Sequence, residues 1–297
     1  MTGADPADKS AAGPGAASPG AAGRAVPRHS NLTLRIVSSL VLVPLALAAA
    51  YAGGPVFLAF WTVAAVGVLW EWDTLVCTGD RNPVLAAGLA ALVAAAAMLA
   101  IGWTGAALAL VALGLFGVAT LAASVHRSWC AAGLLYAAAL LIATVLLRAD
   151  ATWGLAAIVF LFVIVWLTDI AAYFTGRALG GPKLMPSVSP NKTWSGAVGG
   201  TLAGTIGGVL TARAFGAGNL AAVGAVALTL SVVSQAGDLL ESAVKRRFDA
   251  KDAGSLIPGH GGLMDRLDGF LVAVAAAALI GLAHGGAGAP ARGLMVW

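Results

Sequence analysis

Asp238 and Glu241 stand three residues apart in "QAGDLLES", and Asp265 and Asp268 repeat that spacing in "GLMDRLDG". On a helix, residues three apart share a face. Both pairs lie at the edges of long apolar runs, and Asp169 in "VIVWLTDIAAYF" lies inside another. A carboxylate within a bilayer costs at least about 2.5 kcal/mol, so such residues line a cavity or bind a partner. Two helix ends, each offering carboxylates on one face, suit a hard divalent cation such as Mg²⁺. Asp238, Asp265, Asp268 and, at the margin, Asp169 are therefore candidate metal ligands. The plainer alternative for any one of them is a salt bridge to a neighbouring base.

The bases point the same way. Residues 245–268 hold nine of the chain's 30 charged side chains (17 basic, 13 acidic). Lys245, Arg246, Arg247, Lys251 and Arg266 surround the acids. Arginine offers phosphate a planar fork, and lysine a compact charge. A solvated juxtamembrane patch would explain bases alone, but here they are interleaved with acids and with "GHGG" at 259–262. Gly261 and Gly262 let backbone N–H groups approach an anion, and His260 between glycines is a candidate donor to phosphate or a structural residue. A second Gly-rich cationic loop, "GRALGGPKLMPSVSPNKTWSG" at 176–196, adds Arg177, Lys183 and Lys192. It runs into a helix start, where free N–H groups favour anions. Two such loops meeting at buried acids suggest one polyphosphate site, although each read singly is an ordinary connector.

The elements that must position these residues are apolar. The chain is 297 residues long, 60% hydrophobic and 10% charged. A typical soluble domain is about a quarter charged, so this composition indicates a membrane protein. The net charge of +4 is too small to suggest nucleic acid. A membrane-spanning helix needs about 20 mostly apolar residues. Nine segments qualify: 32–51, 54–70, 84–101, 104–124, 129–147, 153–175, 194–215, 219–240 and 268–284. The expected class is an all-α polytopic membrane protein of about nine transmembrane helices, with a cytoplasm-facing polar site between the C-terminal helices.

Three regions follow. Residues 1–30, of which 21 are Ala, Gly, Pro or Ser, read as a disordered cytoplasmic tail. Residues 31–150 carry the first five spans. Residues 151–297 carry spans six to nine and the loops 176–193 and 241–267, which form the catalytic part. With nine spans, 14 of the 17 basic residues fall on one side of the membrane. Loops rich in Lys and Arg stay in the cytoplasm, so both cationic loops face it. Gly196, Gly200, Gly204 and Gly208 form a smooth stripe on the seventh span, suited to close helix packing and permitting a homodimer. Cys77 and Cys130 lack metal-ligand spacing and read as packing residues.

The run Ser242-x-Val244-Lys245-Arg246, Lys251-Asp252-x-Gly254, Ile257-Pro258-x-His260-Gly261-Gly262-Leu263 and Asp265-Arg266-Leu267-Asp268 resembles the signature of the phosphatidate cytidylyltransferase family over 27 residues. "SPNKTW" and "DIAAYFTGR" resemble the family's other motifs. Ser195 departs from the acidic residue the family often carries after that Trp. The resemblance implies a reaction in phospholipid biosynthesis: CTP and phosphatidic acid give CDP-diacylglycerol and pyrophosphate at the inner (plasma) membrane. It implies Mg²⁺ with a second cation such as K⁺. It gives catalytic roles to Asp238, Lys245, Arg246, Asp265 and Asp268. It gives substrate binding to Lys183, Lys192, Lys251, His260, Gly261, Gly262 and Arg266. Two other readings stand beside it: a related CTP-using enzyme acting on another lipid, such as a prenol kinase or CDP-archaeol synthase, and a transporter whose acids line a pathway. A transporter predicts acids spread through the membrane depth, whereas these cluster at span ends.

Overall fold

A computed structural model describes residues 28–77, 80–254, 256 and 261–297, with side chains from residue 40 onward. Among these residues the order is α1 (Arg28–Ala52), α2 (Gly54–Val76), α3 (Asn82–Ala100), α4 (Thr104–Leu121), α5 (Arg127–Arg148), α6 (Gly154–Leu179), β1 (Lys183–Met185), β2 (Ser189–Thr193), α7 (Trp194–Ala214), α8 (Leu220–Arg247), α9 (Met264–Gly285) and α10 (Pro290–Met295). Seven helices (α2–α6, α8 and α9) are long and apolar enough to cross a membrane. Helix α7 is as long, but its glycines, threonines and Arg213 dilute its apolar character. Helix α1 contributes a shorter apolar stretch, Leu40–Ala52. The tail expected over 1–30 lies outside the described residues as far as residue 27, and 28–30 already belong to α1.

Three differences from the expected spans matter. Helix α2 does not stop at residue 70; it continues to Val76, so Glu71 and Asp73 are helical and buried. Helix α8 runs through Lys245, Arg246 and Arg247, and α9 starts at Met264, so Asp265 lies in its first turn. The loop at 176–193 holds a short antiparallel hairpin, with Lys183 opposite Thr193 and Met185 opposite Ser189. Its turn is closed by Val188 N–H donating to the Met185 carbonyl (3.2 Å), with Pro186 at the position a turn favours.

Small residues set the helix spacing. The glycine stripe of α7 lies against α6: a Cβ at Gly200 would sit 2.6 Å from the Thr168 carbonyl oxygen, and one at Gly204 3.0 Å from that of Ile164. The stripe is thus spent within the chain. On the opposite face of α7, Val198, Leu202, Ile206 and Leu210 are exposed at four-residue spacing, the arrangement of a helix turned toward lipid. Polar bonds complete the α6–α7–α8 group: Thr168 Oγ1 lies 2.6 Å from Ser231 Oγ, and Gln235 donates to Thr201 (2.9 Å). Trp61 of α2 stacks on Phe270 of α9 at 5.1 Å, and Phe162 of α6 meets the same ring at 5.2 Å. Cys77 and Cys130, read as simple packing residues, are instead joined as a disulfide between the end of α2 and the start of α5.

The ends of the helices alternate. Phe248, just past α8, packs on His126 and Trp129 at the start of α5. At the other end of α5, Arg148 donates to the carbonyls of Ala50 (2.6 Å) and Tyr51 (3.3 Å), which close α1. The ends of α2, α6 and α8 and the starts of α5 and α9 thus meet on one side.

Candidate active site

Helices α8 and α9 bring the two acid pairs together where they cross. A Cβ at Gly237 would lie 2.8 Å from the Asp268 carbonyl oxygen, and one at Gly269 3.0 Å from that of Ser234. Each of these glycines adjoins an acid, Asp238 or Asp268, so the closest approach of the helices is also where the carboxylates converge. Gly237→Val is expected to force the crossing open. Overpacking of this kind costs about 1–3 kcal/mol. Both the unfolding temperature in detergent and the turnover should fall, and an unchanged turnover would mean the crossing does not set the acid geometry.

Beside this crossing lies a cavity of about 790 Å³. Helix α6 lines it with Asp169, Tyr173 and Arg177, and the hairpin with Lys183, Asn191 and Lys192. Helix α8 adds Gln235 and Asp238, and α9 adds Asp265, Arg266 and Asp268. Seven residues expected at the site therefore line one space: Asp169, Lys183, Lys192, Asp238, Asp265, Arg266 and Asp268. Lys192 pairs with Asp238, which also accepts from Ser242 at 3.4 Å. Arg177 donates to the Tyr173 hydroxyl (3.3 Å).

Under the cavity wall stands Lys245, 2.5 Å from Asp265 Oδ1 and 3.5 Å from Glu241 Oε2. Glu241 is buried, and among the described residues neither of its oxygens makes a hydrogen bond. What faces them, besides Lys245, is the carboxyl group of Asp268, within hydrogen-bonding reach. Asp265 Oδ2 accepts from the backbone N–H groups of Gly262 (2.9 Å) and Ala253 (3.0 Å).

Other expected residues lie elsewhere. Arg246 is exposed and donates to the Ala250 carbonyl (3.1 Å), and Lys251 is also exposed; neither lines the cavity. Gly261 has φ +84°, a conformation that favours glycine. The anion that the Gly262 amide meets is the Asp265 carboxylate. His260 lies outside the described residues. Ser195, in place of an acid, donates to the Gly180 carbonyl and so ties the start of α7 to the loop after α6. Sequence reasoning passed over Glu71, whose carboxylate reaches the start of α9. The signal is an acid directly after the apolar run 54–70, at a point where the helix continues to Val76.

Residues 33–283 match the profile of the cytidylyltransferase family. The chain belongs to the cytidylyltransferase family. It is 43% identical over 262 residues to a protein named phosphatidate cytidylyltransferase from Brucella suis biovar 1 (strain 1330), covering 85% of this chain and 94% of that one. It is 44% identical over 262 residues to the protein of the same name from Brucella abortus (strain 2308), with the same coverage. A shorter match, 44% over 120 residues, joins it to the Bacillus subtilis (strain 168) protein of that name, spanning 40% of this chain and 45% of that one. Every acid and base that lines the cavity falls within the family match.

For a cytidylyltransferase the question is whether these residues suit a divalent cation. Among the described residues, no three His, Cys, Asp or Glu side chains form a ready-made metal cluster. Mg²⁺ rarely requires one: it is usually held by one or two carboxylates, waters and substrate phosphates. Asp238 of α8 and Asp268 of α9, which line the same cavity, supply the one or two carboxylates that this pattern needs.

Proposed function

We propose that the chain is a phosphatidate cytidylyltransferase, transferring CMP from CTP to phosphatidate to give CDP-diacylglycerol and pyrophosphate. The observation that carries this is a single cavity, lined by both carboxylates and bases, at the ends of apolar helices in a chain of this family. A water-soluble nucleotide and a membrane lipid can meet only where apolar and polar regions adjoin.

A phosphate oxygen of the lipid attacks the α-phosphorus of CTP, and the bond between the α-phosphorus and the α–β bridging oxygen breaks, releasing pyrophosphate. The nucleophile is already anionic, so it needs no general base. Both reactants are negative, so positioning and charge neutralisation dominate the barrier. Lys183, Lys192, Arg177 and Arg266 line the cavity and are suited to hold phosphate oxygens. Lys245 acts beneath them, holding Asp265 in place. Asp238, Asp265 and Asp268 would hold Mg²⁺, with Asp169 of the same cavity lining available to it or to a second cation such as K⁺. When bound, Mg²⁺ would supply charge neutralisation for the phosphate oxygens. In this reading Arg246 and Lys251, exposed and off the cavity lining, act on nucleotide outside the cavity.

The nine long helices are read as nine spans, with the site on the cytoplasmic side of the inner membrane, because 14 of 17 bases then face the cytoplasm. A homodimer would have to use a face other than the glycine stripe, which α6 covers.

With the purified chain, label from α-³²P-CTP should enter a chloroform-soluble product when phosphatidate is supplied. Label from γ-³²P-CTP should stay aqueous as pyrophosphate, and chelation of divalent cations should abolish transfer. Lipid labelling from the γ-phosphate would indicate a kinase. Transfer to a prenol phosphate but not to phosphatidate would replace the acceptor.

A further inference from the structure

We propose that Glu71 of α2 is a positioning residue for the transfer reaction, clamping the first turn of α9 so that Asp265 and Asp268 stay in register with α8. The proposal deepens the functional reading above and rests on it for its kinetic part. Glu71 is 1% exposed. Its Oε1 accepts from Leu263 N–H (2.9 Å) and its Oε2 from Met264 N–H (2.7 Å). First-turn amides have no partner within their own helix. Most helices supply one locally, through a Ser, Thr, Asp or Asn at the cap. Here the cap residue is Leu263, whose side chain cannot accept a hydrogen bond. The acceptor comes instead from 192 residues away, on another helix.

Two further observations make this a built arrangement. A Cβ at Gly254 would lie 2.6 Å from Glu71 Oε1, and one at Gly262 2.7 Å from Glu71 Oε2 and 2.9 Å from Asp265 Oδ2. Both glycines leave room for the carboxylates. One turn earlier on α2, a Cβ at Gly67 would lie 2.7 Å from Leu263 Cδ2. Helix α2 therefore grips the start of α9 at two successive turns, through packing and through charge-assisted hydrogen bonds. Four backbone amides (Ala253, Gly262, Leu263 and Met264) are divided between two carboxylates, Asp265 and Glu71. Asp265 follows Met264 directly, so any shift of the Met264 amide moves the site.

The test uses the full chain in detergent, with Glu71→Gln and Glu71→Ala. Glu71→Gln is nearly isosteric and keeps one acceptor oxygen, so it should fold. Losing a supporting contact of this kind typically lowers metal affinity or activity by roughly 10- to 100-fold. The Mg²⁺ concentration for half-maximal rate should rise by about that factor in Glu71→Gln. Tryptic cleavage after Lys251 should accelerate in both variants, while cleavage after Arg81 and Arg127 stays as in the wild type. General loss of structure would behave otherwise, lowering the maximal rate without moving the Mg²⁺ midpoint and opening all three sites alike; that result would overturn the proposal. So would an unmoved midpoint with unchanged cleavage after Lys251. A wild-type chain that turns over without divalent cation would remove the metal reading alone, leaving the Lys251 cleavage to decide the role of Glu71.

Discussion

Asp265→Asn should reduce transfer at least roughly 1000-fold, equivalent to about 4 kcal/mol of barrier. The chain should still insert in the membrane. Each oxygen of this carboxylate is committed. Oδ1 is 2.5 Å from Lys245 Nζ, and Oδ2 receives two backbone amides. Asparagine has one acceptor oxygen and one donor group. If the oxygen faces the amides of Ala253 and Gly262, the new NH₂ faces the Lys245 ammonium, donor against donor. If it faces Lys245, the NH₂ faces two N–H groups. Either way the negative charge is lost from the cavity wall where α8 and α9 cross. Turnover and the unfolding temperature should be measured together. Near-normal turnover would remove Asp265 from the catalytic site, while a large fall in unfolding temperature with proportionate loss of activity would make its role structural.

The helices were legible because lipid imposes a crude code. Among the described residues, seven of the nine apolar runs became helices long and apolar enough to cross a membrane, with starts and ends displaced by a few residues. The largest displacements share one cause. Charge marks the expected span ends at residues 70 and 240, yet α2 runs to Val76 and α8 to Arg247. A helix end carries charge without unwinding when partners are at hand. Glu71 finds the α9 amides, and Lys245 finds Asp265 and Glu241.

The convergence of Asp238 with Asp265 and Asp268 was also legible, since buried acids seek common partners. Which base accompanies them was not. Lys245 and Arg246 are adjacent and of like charge, but successive residues point about 100° apart on a helix. One turns inward beneath the cavity and the other outward to the Ala250 carbonyl. Residue type carries no trace of that difference. Gly261 and Gly262 differ from expectation for a related reason. Their spacing signals close approach of an anion, and the structure supplies one, but at Gly262 it is the carboxylate of Asp265, with Glu71 close by. A contact between residues 71 and 263 has no periodicity in the sequence to reveal it.

Lys245→Met should destabilise the chain by about 3–5 kcal/mol, the usual cost of removing one partner from a buried ion pair. Its ammonium lies between Asp265 Oδ1 and Glu241 Oε2, and among the described residues the Glu241 oxygens make no hydrogen bond. Methionine keeps much of the length and apolar stem while removing the charge. Glu241 would then face the Asp268 carboxyl without its described counter-charge, and Asp265 would lose the contact that orients Oδ1. Adding Glu241→Gln should recover a large part of the lost stability, because the unpaired buried charge disappears with it. Turnover should stay low in the double variant, since Asp265 Oδ1 still lacks the ammonium that orients it. Because Lys245 does not line the cavity, the Michaelis constant for CTP should change less than the turnover in both variants. The opposite pattern, a raised Michaelis constant with intact turnover and an unshifted unfolding temperature, would make Lys245 a phosphate clamp that reaches the nucleotide directly.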